Sequence, residues 1–399
     1  MKIALLTNDN REIDRAYSER TPRFGTAPEA LMQGFAGLPG VEVHIVACTQ
    51  RPMQSPEKLA DNLWFHSVHA PKIGWLRTLY QGCIRATRHK LRDIQPDIVH
   101  GQGTERDCSI SAVFSGFPNV LTIHGNMAEL GRLFKARIGS FHWLTARLEN
   151  YVLPRTSGVF CNSAYTESLV RPRARRVWRV PNALREAFFL KALPAGNKSR
   201  CILLHVGVVC ENKQQLKMLE AARALRRRKL DFELHFIGSA NTRDAYARNF
   251  LDQVRAVEAA EGYVRYWGTK STEELIGCFD RASALVHTPV SEAFGLVVAE
   301  ALARNLKLFG MRTGGLADIA EGVPDAELFA ENDWAGLTDA IARWIGQGCP
   351  RTNGAAAVMR QRYHPEVVAR RHLEIYREVL NLKTEVGRER TQGTQRKTS

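Results

Sequence analysis

Two carboxylates eight positions apart, Glu292 and Glu300, bracket and enter a nearly unbroken apolar stretch, Phe294–Leu302. Apolar side chains at almost every position read as a helix, Phe294–Arg304, buried on most sides. A carboxylate inside such a helix is costly without donors, so Glu300 calls for a basic side chain or the hydroxyls of a ligand. Glu292 sits in the preceding loop, Val290-Ser-Glu-Ala-Phe-Gly295. Backbone N–H groups of Phe294, Gly295 and Leu296 at the helix start suit a phosphate, and Gly295 allows a close approach. With roughly 10 Å of helical rise between them, the two carboxylates can address two ends of one extended ligand. A structural alternative stands beside this: Glu292 favouring the helix dipole, Glu300 pairing with an arginine.

Three further segments carry chemistry at strand ends. Leu203–Gln215 reads as a strand closing on Gly207 and turning into a helix whose start holds Lys213. A cation there is unfavourable unless an anion is bound, or it is simply solvated. Asn119–Asn126 is a strand with His124 at its carboxyl end, where ligands meet doubly wound sheets, or a histidine satisfied by the backbone. Pro22–Pro28, containing Gly25, follows the first strand as a phosphate- or acceptor-facing loop. No Asp-x-Asp pair or zinc spacing stands out.

These segments must be positioned by a regular scaffold. Short apolar runs at Lys2–Thr7, Val41–Cys48, Ile98–His100, Val120–His124, Gly158–Asn162 and Val177–Val180 alternate with helical patterns. The alternation repeats at Cys201–Gly207, Glu233–Gly238, Val264–Trp267, Ala284–Thr288 and Leu306–Gly310. Strand–helix alternation with apolar strands predicts two parallel, doubly wound α/β domains, 1–185 and 201–364. Residues 186–200 form the joint, Pro365–Leu382 a final helix and Lys383–Ser399 a disordered tail. Two such domains facing each other would leave a cleft at the carboxyl ends of their strands.

Composition narrows the class. The 399 residues are 44% hydrophobic and 24% charged, a globular balance that fits two domains. No apolar run reaches the length of a membrane span, and the apolar run at the amino terminus is too short for a secretion signal. The eight cysteines show no paired spacing and read as reduced core thiols of a cytoplasmic protein. The net charge is +15, and residues 1–185 hold 25 Lys/Arg against 15 Asp/Glu, a surplus of 10. A basic half implies an anionic partner. Gly131–Leu148 and Lys72–Arg92 mix cations with Phe134, Phe141, Trp143, Trp75 and Tyr80, a pattern of helices that lie on anionic membranes or of ordinary helices burying one face.

Taken together, residues 1–382 resemble the retaining, nucleotide-sugar-dependent glycosyltransferases of family 4. The resemblance rests on Glu292 and Glu300 with Phe294-Gly295 between them, Gly314-Gly315, Gly207 with Lys213, His124, Ser163 and Pro181-Asn182. It implies a GT-B fold, with the final helix crossing back to the first domain. It implies an enzyme that moves a hexose from a UDP- or GDP-sugar to a saccharide or lipid-linked acceptor in cell-surface glycan synthesis. No metal or cofactor beyond the nucleotide sugar is implied. The first domain would bind the acceptor and the second the donor. Glu292, His124 and Lys213 would act at the sugar and diphosphate, and Glu300 would hold the ribose. Phe294, Gly295, Leu296, Gly207, Gly25, Gly238 and Thr269 complete the implied donor set. The expected location is cytoplasmic, reaching the inner face of the cell membrane if the basic half docks there; nucleic acid is not an expected partner. Three positions depart from the pattern: Val208 where an arginine is usual, Arg304-Asn305 for a small residue and glycine, and Asn182-Ala183 for Asn-Gly. Arg312 is a candidate substitute cation. Two rival readings are a GT-B sugar-nucleotide epimerase and a non-catalytic glycan or nucleic-acid binder.

Overall fold

A computed structural model describes residues 1–190, 200–351 and 353–395, with side chains described to residue 381. The chain divides into two compact units, Met1–Arg185 with Pro365–Ser399, and Glu186–His364. Part of the expected joint, residues 191–199, lies outside the described residues.

The first unit is built on eight strands: β1 (Lys2–Leu6), β2 (Glu42–Thr49), β3 (Lys58–Ala60), β4 (Leu63–His69), β5 (Ile98–Gln102), β6 (Asn119–Ile123), β7 (Val159–Cys161) and β8 (Val177–Arg179). Their order is β3-β4-β2-β1-β5-β6-β7-β8, parallel throughout except β3 against β4. Ile3 to Leu6 are all buried, the near-continuous apolar run expected of a central parallel strand covered on both faces. β4 and the short β3 were not expected from the sequence. Their neighbourhood hides the strand signal because its histidines pair across the sheet. His44 Nδ1 lies 2.9 Å from His66 Nε2, and the Trp64 ring stacks on His44 with centroids 5.2 Å apart.

Helices close both faces. In Gln81–Ile94 the buried residues Cys83, Ile84, Thr87, Leu91 and Ile94 recur at helical spacing, and the helix stops where Gln95 turns left-handed before Pro96. The last helix starts with Pro365 and buries Val368, Ala369, Leu373, Tyr376 and Val379 in the core of the first unit. It continues to Gln395, so the expected disordered tail is corrected over 383–395; residues 396–399 lie outside the described set. Polar composition argues against burial, not against a helix, and Lys, Glu, Arg and Gln are good helix formers.

The second unit holds β9 (Ile202–Val206), β10 (Glu233–Ile237), β11 (Val264–Tyr266), β12 (Ala284–His287), β13 (Lys307–Met311) and β14 (Ala326–Phe329). All are parallel in the order β11-β10-β9-β12-β13-β14. The strand order reverses between β9 and β12, the position where open α/β sheets bind ligands.

The cysteine expectation also changes. Cys201 and Cys349 form a disulfide across 148 residues, with Cα atoms 6.3 Å apart. Such a pair leaves no spacing signature, because the fold alone brings its ends together. Cys48, Cys83, Cys108 and Cys161 are buried free thiols. Cys48, Cys83 and Asp107 bring their potential ligand atoms within 4.8 Å of one another, a grouping that no sequence spacing displays.

Candidate active site

At the reversal point of the second sheet, two loops are joined edge to edge. After β9 the chain passes Gly207 and makes a short 3-10 turn, Glu211–Lys213. Asn212 bonds this turn to the loop after β12 three times. Its Nδ2 donates to the Ser291 carbonyl at 3.0 Å, its Oδ1 accepts from the Ser291 N–H at 3.0 Å, and its carbonyl accepts from the Val290 N–H at 2.8 Å. Gln214 adds a bond from Nε2 to the Thr288 carbonyl at 2.7 Å. These bonds set Lys213 against Glu292. Neither Asn212 nor Gln214 was singled out by sequence, because an amide beside a lysine carries no pattern until its partner loop is known.

Glycines permit the rest of the approach. A Cβ on Gly238 would meet the Gly207 carbonyl oxygen at 2.0 Å, so the turns after β9 and β10 can lie together only without one. A Cβ on Gly314 would lie 1.7 Å from the Glu292 carbonyl oxygen, while the Gly315 N–H donates to that oxygen at 3.0 Å. The Gly-Gly pair thus positions the backbone of Glu292.

The carboxylate itself is held by charge. Lys213 Nζ donates to Glu292 Oε2 at 2.5 Å, and His287 Nε2 lies 3.2 Å from the same oxygen. Burial alone would push this carboxyl up, but the His287 hydrogen bond and the Lys213 charge win and hold it down at about 2. His287 is itself pushed down, by burial first and by Lys213 second, with Glu292 opposing. Neither His287 nor the buried His205 on β9 was expected to take part. Both lie in apolar strand patterns where a histidine reads as core.

The helix that follows runs Leu296–Ala303, beginning at Gly295 in a left-handed conformation. This corrects the expected start at Phe294. Phe294 precedes the helix, and its buried ring packs edge-on against Tyr363 at 5.5 Å. No side chain caps the helix, and the Val298 and Ala299 N–H groups turn back to the Gly295 carbonyl at 2.9 and 3.3 Å, so the first-turn N–H groups that keep their polarity for another partner are those of Leu296 and Val297. Glu300 is buried within this helix at 4% exposure. The nearest arginine in sequence, Arg304, donates to Asp280 at 2.8 and 2.7 Å. Asn305 adopts φ +55°, the left-handed turn for which glycine is the usual choice.

Other expected residues are placed differently. Val208 is 56% exposed, leaving Lys213 as the cation against Glu292 in this turn. Arg312 is exposed at the end of β13 with its N–H on the Phe329 carbonyl, and nothing in its bonding places it at Lys213. Thr269 is exposed in the loop after β11. Gly25 belongs to the first unit, where it precedes the helix Thr26–Ala36. The loop before it is organised by the buried Arg11–Asp9 pair at 2.6 Å, with Arg11 also bonding the Glu19 and Arg20 carbonyls.

His124 also belongs to the first unit, just beyond the end of β6. Its Nε2 lies 2.9 Å from Gln102 Oε1, so this nitrogen carries the proton. Gln102 Nε2 sits 3.1 Å from His100 Nε2, and His100 is bonded to Tyr376 Oη at 2.5 Å and Thr122 Oγ1 at 2.6 Å. Burial pushes His124 down to about 4, with the Asn182 side chain opposing, so the ring is neutral at physiological pH. Its buried Nδ1 has no hydrogen-bond partner, and the residue lines a small cavity together with Leu31, Gln102, Thr122, Asn182 and His372.

Known proteins resemble this chain in sequence profile and in fold. The model of the glycosyl transferases group 1 matches residues 191–356, and that of glycosyltransferase family 4 matches residues 29–187. Sucrose-phosphate synthase from Thermosynechococcus elongatus superposes with a TM-score of 0.75 at 17% identity, covering 96% of this chain and 100% of the other. HepE from Anabaena, solved with UDP and glucose, has a TM-score of 0.67 at 14% identity, covering 94% and 99%. The lipopolysaccharide outer core galactosyltransferase WaaB, in its apo form, has a TM-score of 0.67 at 14% identity, covering 95% and 100%. No curated protein sequence matches. The fold is GT-B, two Rossmann-like α/β sheets.

Proposed function

From a glycosyltransferase family 4-like chain of GT-B fold, we infer a retaining glycosyltransferase. It moves a hexose from a UDP- or GDP-sugar to a saccharide or lipid-linked acceptor in cell-surface glycan synthesis, without a metal. The observation that carries this reading is the Lys213–Glu292 pair beside the uncapped helix at Leu296. A cation and free N–H groups suit a diphosphate that gains charge as it leaves. Glu292, kept ionised, suits the sugar's hydroxyls and its developing positive charge. Glu300 takes the ribose diol, and the lone pair on His124 Nδ1 accepts from a sugar or acceptor hydroxyl. Complexes of HepE with UDP and glucose, and of Arabidopsis starch synthase IV with ADP and acarbose, support a nucleotide-sugar donor.

A thermal-shift panel of UDP-, GDP- and ADP-sugars should show one base raising the melting midpoint, since a ligand that binds only the folded state stabilises it. The matching donor should then release its nucleoside diphosphate slowly even without acceptor. A protein that binds none of the panel and releases no diphosphate would be a binder, not a transferase.

The basic first unit fits an anionic surface, with the acceptor domain docked at the inner face of the membrane and a cytoplasmic location for the rest. Trp75 and Tyr80, first read as part of that surface, are buried in the core. The apolar tips are instead Ile73 and Ile138, 80% and 85% exposed, with Phe134 and Phe141. Lys72, Lys135 and Arg137 flank them in sequence. Sedimentation with phosphatidylserine vesicles should pull the protein down at low salt, and Ile138→Ser with Phe134→Ser should release it. Retention in the supernatant with vesicles at low salt would remove this part of the proposal.

A further inference from the structure

Beneath the Lys213–Glu292 pair lies a group that neither the motif nor the fold assigns. His287 ends β12 with its side chain fully buried, and its Nε2 faces Glu292 Oε2 at 3.2 Å. An acceptor at that distance places the ring proton on Nε2, so Nδ1 holds a lone pair; Nδ1 is buried without a hydrogen-bond partner. His205, on the adjacent strand β9, is 1% exposed, and neither of its ring nitrogens has a hydrogen-bond partner. The groups that bear on His287 electrostatically are therefore Lys213, Glu292 and His205. Gly310, opposite it on β13, has no side chain to offer.

We propose that His287 is a positioning residue that keeps Glu292 ionised and aimed when Lys213 turns to the donor diphosphate. The inference rests on the transferase reading above, but its geometry does not. Glu292 Oε2 has two holders, and one of them, Lys213, is the cation that the diphosphate requires. Once the ammonium is shared with an anion, a buried carboxylate left alone would take up a proton and lose its use as an anion. His287 cannot leave, because it is part of the strand. As the Lys213 charge is drawn off toward phosphate, the imidazole is freed from a cation that opposes its protonation, while Glu292 continues to favour it. The Nε2–H bond to the carboxylate strengthens at the moment it is needed. This division also accounts for one lysine sufficing to hold Glu292 in a turn where Val208 adds no second cation.

The test separates position from packing and from the reaction. His287→Phe fills the space without a donor, and His287→Gln restores an N–H close to the place of Nε2. With carboxyl-labelled glutamate, the NMR titration of Glu292 is followed in Lys213→Met and in Lys213→Met with His287→Phe. The inference expects the second to titrate at least about one pH unit higher. With an accepted donor and intact Lys213, His287→Phe should lower kcat about tenfold with donor KM within about threefold, and His287→Gln should recover most of the loss. An unmoved titration, or a glutamine variant no better than phenylalanine, overturns the assignment. If the unmodified protein turns over no donor, the transferase reading fails while the titration still decides His287. If the double variant does not fold, His287→Phe alone is compared with His287→Gln by the same titration, with the same expected order.

Discussion

At the end of β12 a carboxylate is held by charge, whereas at the end of β6 an imidazole is held by neutral hydrogen bonds. Glu292 is kept ionised, at about 2, by Lys213 and His287 against the push of burial. His124 is kept neutral, at about 4, by burial itself, and Gln102 fixes which nitrogen bears its proton. Both are poised, but by opposite means. The charged corner can change quickly, since its partner Lys213 is a flexible amine. The neutral corner is rigid, tied through Gln102 and His100 to Thr122 on β6 and to Tyr376 on the last helix. The contrast suits a carboxylate that must meet developing charge and a lone pair that need only orient a hydroxyl.

The largest expected effect lies in the charged corner. Glu292→Gln should lower donor turnover by about 100-fold to 1,000-fold while nucleotide affinity changes little, as for loss of a group acting mainly in the transition state. Glu300→Gln, eight residues on, should show the reverse: about tenfold weaker nucleotide binding by calorimetry and a smaller change in kcat. Equal losses in both quantities for both variants would mean that the two carboxylates do not divide the donor between them.

A smaller effect, with a distinctive pH signature, belongs to the neutral corner. Gln102→Leu removes the acceptor for His124 Nε2–H and should cost about threefold to tenfold in kcat, without an acid limb near neutrality. Gln102→Glu places a carboxylate there, which favours the imidazolium and raises the pKa of His124 by roughly one to two units. Protonation then occupies Nδ1, so the fall in kcat should begin at a higher pH than in the unmodified protein. The stability sign is separate. With a folded pKa below the ordinary 6.5, His124 costs stability as pH falls from about 6.5 toward about 4, because the unfolded chain takes up the proton first. Raising the folded pKa should lessen that acid loss in Gln102→Glu. Coincident pH profiles for all three proteins would show that Gln102 does not govern His124.

How much was legible follows from where each signal is stored. The apolar runs at Lys2–Leu6, Ile202–Val206 and Ala284–His287 announce central parallel strands, because burial on both faces leaves no other composition. Glu292, Glu300, Lys213 and Gly314 stand out in the sequence because each sits in one short segment or at a strand end, and the structure adds the Lys213–Glu292 contact and the close approach of Gly314 to the Glu292 carbonyl. β4 does not stand out, since its His66 and Trp64 both find their partner in His44 on the neighbouring strand β2. Asn212 was missed for the same reason. An amide beside a lysine says nothing until the backbone of Ser291 arrives to pair with it.

The sequence by itself determined two doubly wound halves, a carboxylate inside a buried helix, and a lysine in the turn after a strand-end glycine, paired with an anion or simply solvated. Local hydrophobic period and the cost of buried charge suffice for those. Tertiary structure alone decided that Lys213 meets Glu292, that His287 stands behind that carboxylate, and that Gln102 puts the proton of His124 on Nε2. It also joined Cys201 to Cys349 and carried the last helix to Gln395. The physical reason is common to the pairings and the tautomer. They depend on distances between strands and loops far apart along the chain, and such distances exist only once the sheets have formed.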